Sequence, residues 1–266
     1  MTKNKVKIGV CSICGSEGEL TKEHVPPQKA FNKGRWTQHL YNNEEWQNNP
    51  LEAPQKRIFK QGGITFTSIC GKCNNNTGSW YAPAFSDWCH YGMDILRRSN
   101  GKSSVYVPNT LKPLNTIKQI ITMFLAINEP EFAQRNQELV KFVLNRDYYP
   151  LAGNYKVWAY YKFDSKLRYV KESYIGNLNK SIKPIMLTEI AYPPYGFVLS
   201  DSVDKSEIDY KLVNITHFSY HEYDQEKSFE MKLPTLPTEI NIPGDYRSSE
   251  EITKTIIENK LKYPDR

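Results

Sequence analysis

Long hydrophobic runs are absent from this sequence of 266 residues. The longest strongly apolar run, residues 120–127, is far shorter than the roughly twenty residues that a membrane-spanning helix needs. No apolar segment follows Lys3, Lys5 and Lys7, as a secretory signal peptide would require. These absences argue against a membrane protein or an exported one, and we predict a cytoplasmic protein with no membrane partner.

Cysteine is scarce, with only five in the chain. Four of them form two Cys-x-x-Cys pairs, Cys11 with Cys14 and Cys70 with Cys73, and Cys89 is left over. Because thiols stay reduced in the cytoplasm, this spacing indicates a metal site before disulfides. Two such pairs can close a tetrahedral zinc site that has no open coordination position, so we predict a structural Zn²⁺ ion.

A strong excess of one charge is also missing, since the formal net charge is only +6. The excess is uneven: residues 1–100 hold 13 Lys and Arg against 8 Asp and Glu, and the remainder holds 22 against 21. Positive charge therefore accompanies the cysteines. It suits a phosphate-backbone partner, although an ordinary basic surface gives the same imbalance.

The chain shows no internal repeats, and its length favours two units, residues 1–100 and 101–266, separated by the polar stretch 99–113. The first unit is predicted to contain a strand at residues 6–10, a knuckle, a strand at 64–69, a second knuckle and a helix over 74–98. Residues 35–62 have little periodicity and are interpreted as a long insertion that ends at Gly62-Gly63.

The second unit is predicted to combine a helical hairpin with an antiparallel sheet, which gives an α+β fold overall. Helical apolar spacing covers residues 114–127 and 130–144. A charged helix is expected from about Ser249, capped by Ser248 or Ser249. Alternating apolar and polar residues predict strands at 155–163, 167–174, 184–191, 197–199, 210–220 and 228–233.

Candidate catalytic chemistry lies at Glu23-His24, between the two cysteine pairs and just before Pro26-Pro27. Neighbouring residues on an extended segment point to opposite sides, so the carboxylate can bind a metal ion while the imidazole works from the other side of a phosphate. A neutral imidazole can take a proton from water near pH 7. Asn74, directly after the second cysteine pair, offers an amide oxygen to a hard cation.

This pattern resembles the HNH, or ββα-metal, endonucleases, and in particular their zinc-stapled branch with Cys-x-x-Cys, then Glu/Asp-His, then Cys-x-x-Cys-Asn. The similarity covers about residues 8–98. It implies an N-terminal ββα-metal module in which the four cysteines bind zinc. It also implies that His24 is the general base, and that Glu23 and Asn74 are ligands of a catalytic Mg²⁺ or Mn²⁺ ion.

The resemblance further implies hydrolysis of phosphodiester bonds in DNA, with RNA possible, and a role in phage defence or a mobile element. Residues 101–266 would select the target or a partner, and a regulatory protein or homo-oligomer would fit a nuclease that must be restrained. Two features depart from the family: Thr65 stands where the middle asparagine is often found, so no residue is assigned that orienting role, and the loop from His24 to Cys70 is long.

Two other functions are compatible with the same residues. A catalytically inactive zinc-stapled module would bind nucleic acid or protein without added divalent ions. A zinc-stapled subunit would instead dock onto another protein through its C-terminal sheet. Among the remaining histidines, His90 is expected to be an ordinary helix residue, and His217 and His221 are expected to face one side of a strand without partners that would complete a site.

Overall fold

The computed structural model describes residues 6–39, 57–175, 185–201, 211–239 and 244–262. In these ranges the chain mixes helices with antiparallel sheets, which confirms the predicted α+β class. The strands are β1 Lys7–Val10, β2 Glu17–His24, β3 Arg35–His39, β4 Arg57–Gln61, β5 Thr65–Cys70, β6 Ser104–Leu111, β7 Lys156–Tyr161, β8 Arg168–Ile175, β9 Ile185–Tyr192, β10 Tyr195–Ser200, β11 Val213–Asn214 and β12 Lys227–Pro234. The helices are α1 Gly71–Trp80, α2 Ala82–Ser99, α3 Pro113–Ile127, α4 Pro130–Arg135, α5 Gln137–Leu144, α6 Ser249–Lys262 and a 3₁₀ helix, Thr216–Tyr220.

The N-terminal sheet has the strand order β1-β2-β5, and α1 begins directly after β5. The helix predicted over residues 74–98 therefore begins earlier, at Gly71, and it is interrupted at Tyr81 between α1 and α2. Pro83 lies in the first turn of α2 and has no N–H for the carbonyl four residues before it, which disfavours a continuous helix through this point. The buried Tyr81 hydroxyl donates a hydrogen bond to the Val143 carbonyl, 2.8 Å away.

Two segments for which no strand was predicted, residues 35–62 and 99–113, contain strands in the structure. The ends of the 35–62 insertion pair as the antiparallel strands β3 and β4, whereas residues 40–56 lie outside the described residues. The proposed boundary at 99–113 contains β6, which pairs along its whole length with β12. The strand predicted at 228–233 belongs to this pair and not to the large sheet. The two strands lie more than a hundred residues apart in the sequence. The local pattern of either strand therefore contains too little information to predict their pairing.

The large C-terminal sheet has the strand order β11-β7-β10-β9-β8, and its strands are antiparallel as predicted. The prediction of a strand at 210–220 is wrong for most of residues 211–220, the part that the structure describes. Only Val213–Asn214 pairs with β7, and a 3₁₀ helix follows. The Asn214 side chain accepts a hydrogen bond from the Thr216 N–H at 2.8 Å, which turns the chain out of the sheet. His217 and His221 therefore do not share a face of a strand.

Helix α3 is buried along its whole length and forms the centre of the protein. The helix predicted at 130–144 divides at Asn136 into α4 and α5. On α2, Trp88 stacks on Tyr195 of β10 with ring centroids 4.1 Å apart. Within the described residues, no helix is both long and apolar enough to cross a membrane.

One cluster of buried residues runs from Cys11 to Leu233 and so includes both predicted units. Ser12 donates a hydrogen bond to the Asn128 carbonyl at 3.2 Å, and Ser68 donates one to the Ala126 carbonyl at 2.5 Å. The N-terminal sheet is thus bonded to the end of α3. The division at residue 100 stays a prediction about folding units, and calorimetry can test it.

We expect the zinc-loaded protein to unfold in a single calorimetric transition, because a shared core couples the unfolding of residues 1–100 to that of 101–266. The ratio of van't Hoff to calorimetric enthalpy in differential scanning calorimetry should be close to one. Two resolved transitions would contradict this expectation and favour two independently folding units.

Candidate functional site

Four cysteine sulfurs come together where the N-terminal sheet meets α1. Cys11 and Cys14 lie in the turn between β1 and β2, Cys70 ends β5 and Cys73 lies in the first turn of α1. Their Sγ atoms all lie within 4.8 Å of one another. The predicted quartet is therefore confirmed as a group that could hold a metal ion such as zinc, for which four thiolates are a suitable ligand set.

The turn that carries the first pair is built for this role. Gly15 has a φ of 71° and its N–H donates to the Cys11 carbonyl at 3.0 Å, which closes the knuckle. The backbone N–H groups of Ile13 and Cys70 donate to the Cys11 sulfur at 3.4 and 3.3 Å. A hydrogen bond with the Cys73 side chain, together with these backbone bonds, lowers the pKa of Cys11 despite burial. A lowered pKa favours the thiolate, the form that binds metal.

Glu23 and His24 end β2, where they pair with Phe66 and Thr65 of β5. Successive side chains of a strand alternate between faces, and Glu23 is buried while His24 is half-buried. Burial raises the pKa of Glu23 to about 7. Within the described part of the chain this carboxyl has no hydrogen bond and no ion pair.

A buried carboxylate without a partner is costly, and a cation bound beside it would offset that cost. Glu23 therefore fits the metal-ligand role that the HNH resemblance implies. No further group of His, Cys, Asp and Glu side chains that could hold an ion occurs among the described residues. An ion at Glu23 would thus need amide, water and phosphate oxygens as its other ligands, which are the ligands that Mg²⁺ accepts.

The His24 ring is fixed by one hydrogen bond. Its Nε2 lies 3.1 Å from the Gly62 carbonyl oxygen, which can only accept, so Nε2 carries the proton. In the neutral ring the other nitrogen, Nδ1, is an acceptor, and it forms no hydrogen bond with the described residues. Gly62 has a φ of 83°, a conformation that favours glycine.

Asn74 links α1 to β2. Its Nδ2 donates to the Thr21 hydroxyl at 3.0 Å and to the Lys22 carbonyl at 3.1 Å. These bonds place Asn74 beside the backbone that leads into Glu23 and His24, and they leave Oδ1 without a partner among the described residues. An amide oxygen so oriented is free to bind a hard cation.

Asn32 is a site residue that sequence reasoning missed. Its side chain is fully buried, and its Nδ2 donates to the carbonyls of Pro26 at 2.7 Å and Ile64 at 2.8 Å. Its Oδ1 accepts from the Ile64 N–H at 2.7 Å. The segment after His24 is thereby tied to the segment before β5. The close approach of this segment requires glycine at position 63, since a Cβ there would lie 2.3 Å from the Asn32 carbonyl oxygen.

Residues of the C-terminal half and of α2 also hold the segment that follows His24. The hydroxyl of Tyr169, on β8, donates to the Val25 carbonyl at 2.7 Å, and that of Tyr192, on β9, donates to the Phe31 carbonyl at 2.9 Å. His90, expected to be an ordinary helix residue, contributes as well, because its Nε2 bonds the Lys29 carbonyl at 3.0 Å. Three backbone carbonyls after His24 are thus fixed from outside the N-terminal sheet.

Comparison with models of known protein families, with curated proteins and with solved structures finds no match to this chain. The assignment of the site therefore depends on its own geometry.

Replacement of Cys14 by serine should reduce bound zinc from about one ion per chain to near zero, because three thiolates and a hydroxyl bind zinc far more weakly than four thiolates. Zinc can be measured by plasma mass spectrometry after dialysis. Cys89 is buried outside the quartet, so Cys89→Ser is the matched control and should keep its zinc. Full zinc content in Cys14→Ser would contradict the assignment.

Replacement of Asn32 by alanine should lower the free energy of unfolding by about 3 kcal/mol, because it leaves buried backbone groups of Pro26 and Ile64 without partners. Urea denaturation measures the change. The exposed Asn154 provides the control, and Asn154→Ala should change stability by less than about 0.5 kcal/mol. Equal effects of the two substitutions would mean that Asn32 does not anchor the segment.

Proposed function

We propose that the protein is a metal-dependent endonuclease of the HNH type that hydrolyses phosphodiester bonds in DNA. The observation that carries the proposal is the pairing of a histidine whose Nε2–H is held by a carbonyl with an adjacent buried carboxyl that has no partner among the described residues. Perturbed ionisable groups that lack a structural partner concentrate at functional sites. The Cys quartet and Asn74 hold the strand that presents them.

The histidine supplies the general base. Because the Gly62 carbonyl fixes the proton on Nε2, the lone pair of Nδ1 is available to take a proton from an attacking water molecule. The same carbonyl stabilises the imidazolium that forms, since its oxygen accepts the hydrogen bond from Nε2–H. This arrangement selects one tautomer before substrate binds, so no reorientation of the ring is needed in the reaction.

The carboxylate of Glu23 and the Oδ1 atom of Asn74 would hold the divalent ion. When bound, Mg²⁺ or Mn²⁺ supplies Lewis-acid stabilisation of the phosphate charge and of the departing 3′ oxygen. Burial disfavours the charged form of Glu23, and a cation bound beside it would favour the carboxylate again. Asn74 is oriented by two hydrogen bonds through its nitrogen, so its oxygen is fixed without further ordering.

The Cys quartet has a structural role in this proposal. Its four protein ligands leave no position for water or substrate, so it does not take part in the reaction. It joins the β1–β2 turn to the start of α1, and so fixes the helix that carries Asn74 against the strand that carries Glu23.

Plasmid cleavage tests the proposal. With Mg²⁺ or Mn²⁺ the zinc-loaded protein should nick or linearise supercoiled DNA, and His24→Ala should reduce the rate about 100-fold or more through loss of the general base. His221→Ala, which changes a histidine outside the site, should cut at the wild-type rate. Zinc content shows that each variant is folded.

Glu23→Gln keeps the size of the side chain but removes its charge, so the variant should need much more divalent ion for the same rate. Equal rates for His24→Ala and wild type would reject the catalytic role of His24. Failure of the zinc-loaded wild type to cut plasmid, linear duplex or RNA with either ion would reject the nuclease and favour a zinc-stapled binding module.

A further inference from the structure

The strands β3 and β4 form a two-stranded antiparallel ribbon, here defined as residues 35–39 and 57–61. The ribbon leaves and rejoins the protein at one point, where the N–H groups of Gly62 and Gly63 donate to the Gly34 carbonyl at 2.8 and 3.3 Å. Gly62 is also the residue whose carbonyl binds His24. The base of the ribbon is therefore continuous with the proposed catalytic histidine.

The two faces of the ribbon differ. Directly paired residues share a face, and one face carries the pairs Trp36 with Lys60 and Gln38 with Ile58. Trp36 contacts Tyr192 of the large sheet edge-on, with ring centroids 5.5 Å apart, so this face is turned toward the protein. The opposite, outward face carries Arg35, Thr37, His39, Arg57, Phe59 and Gln61.

The outward face has the chemistry of a nucleic-acid surface. Arg35 and Arg57 are exposed and form no ion pair within the described part of the chain. Residues 29–39 and 57–63 contain no Asp or Glu, and the whole stretch 29–63, with six Lys and Arg against three Glu, keeps a formal charge of +3. Phe59 is 81% exposed, so its ring is accessible for packing on sugars or base edges.

We propose that the outward face of the ribbon binds duplex DNA beside the scissile phosphate, with Arg35 and Arg57 on the backbone and Phe59 in a groove. The inference rests on the proposed function, because it takes the polynucleotide as the substrate of His24. A two-stranded ribbon fits the major groove of B-form DNA, whereas the major groove of A-form RNA is too narrow. Phosphate contacts orient the duplex, and the shared Gly62 places it relative to His24.

Fluorescence anisotropy with a labelled duplex, over a range of salt concentrations, tests the ribbon. His24→Ala serves as the parent protein so that the DNA stays intact. Adding Arg35→Ala and Arg57→Ala should weaken binding roughly 10- to 100-fold at low salt and reduce the slope of log K against log salt by about 1.8, since each phosphate contact contributes about 0.9.

Two controls separate this effect from a general loss of charge or of apolar surface. Lys227→Ala with Lys232→Ala removes two exposed positive charges from β12 and should leave the slope almost unchanged. Phe59→Ser should weaken binding without changing the slope, because it removes no charge.

The inference would be overturned if the Arg35/Arg57 and Lys227/Lys232 double variants lost the same amount of DNA affinity. It would also be overturned if the ribbon substitutions left DNA affinity unchanged. Tighter binding to duplex RNA or to single strands would overturn the choice of duplex DNA. Ribbon-dependent binding by a wild type that never cuts would reject the nuclease, and with it the placement beside a scissile phosphate, but would leave DNA binding by the ribbon standing. Full cleavage by the Arg35/Arg57 double variant, made with His24 intact, would reject the ribbon inference alone.

Discussion

The hydrogen bonds of one buried amide side chain hold the site together. Asn32 bonds the backbone on both sides of the long excursion between β2 and β5, and so keeps the residues after His24 next to those before β5. The carbonyl of Gly62 lies within this bonded region, and it sets the tautomer of His24. The cysteine quartet fixes the other end of the same strand pair. These two attachments hold the strand pair at both ends, next to the Gly62 carbonyl that bonds His24 and next to the start of α1.

Residues of the C-terminal half hold the loop that follows His24 in place through hydrogen bonds. Tyr169 and Tyr192 donate to carbonyls in the segment after His24, and the two serine bonds to the end of α3 join the N-terminal sheet to the core. An oriented loop needs such external partners because its own residues form few regular hydrogen bonds. Target selection by residues 101–266 stays a prediction, but support of the loop is a role that the contacts show.

Sequence patterns predicted the parts of the protein that short-range chemistry determines. The cysteine spacing predicted the quartet, and apolar spacing predicted α3. Ser248 or Ser249 was predicted as the cap of α6, and the Ser248 hydroxyl accepts from the Glu251 N–H at 3.2 Å. Patterns failed where distant partners decide the structure. The role of Asn32 depends on Ile64, which lies 32 residues later, and β6 has its partner more than a hundred residues away. A polar residue destined for burial looks like a surface residue until its partners are known.

The excursion that contains the ribbon leaves the body at Gly34 and returns at Gly62, and these two residues are hydrogen-bonded to each other. The entropic free-energy cost of closing a flexible loop grows only slowly with its length, by about 0.6 kcal/mol for each doubling. A change in chain length between these two glycines therefore adds little to the entropic cost of closing the excursion. Under the proposed function, the hydrolytic centre and the DNA-binding ribbon would meet only at this glycine pair, so the recognition arm could change in sequence while the catalytic residues stay the same.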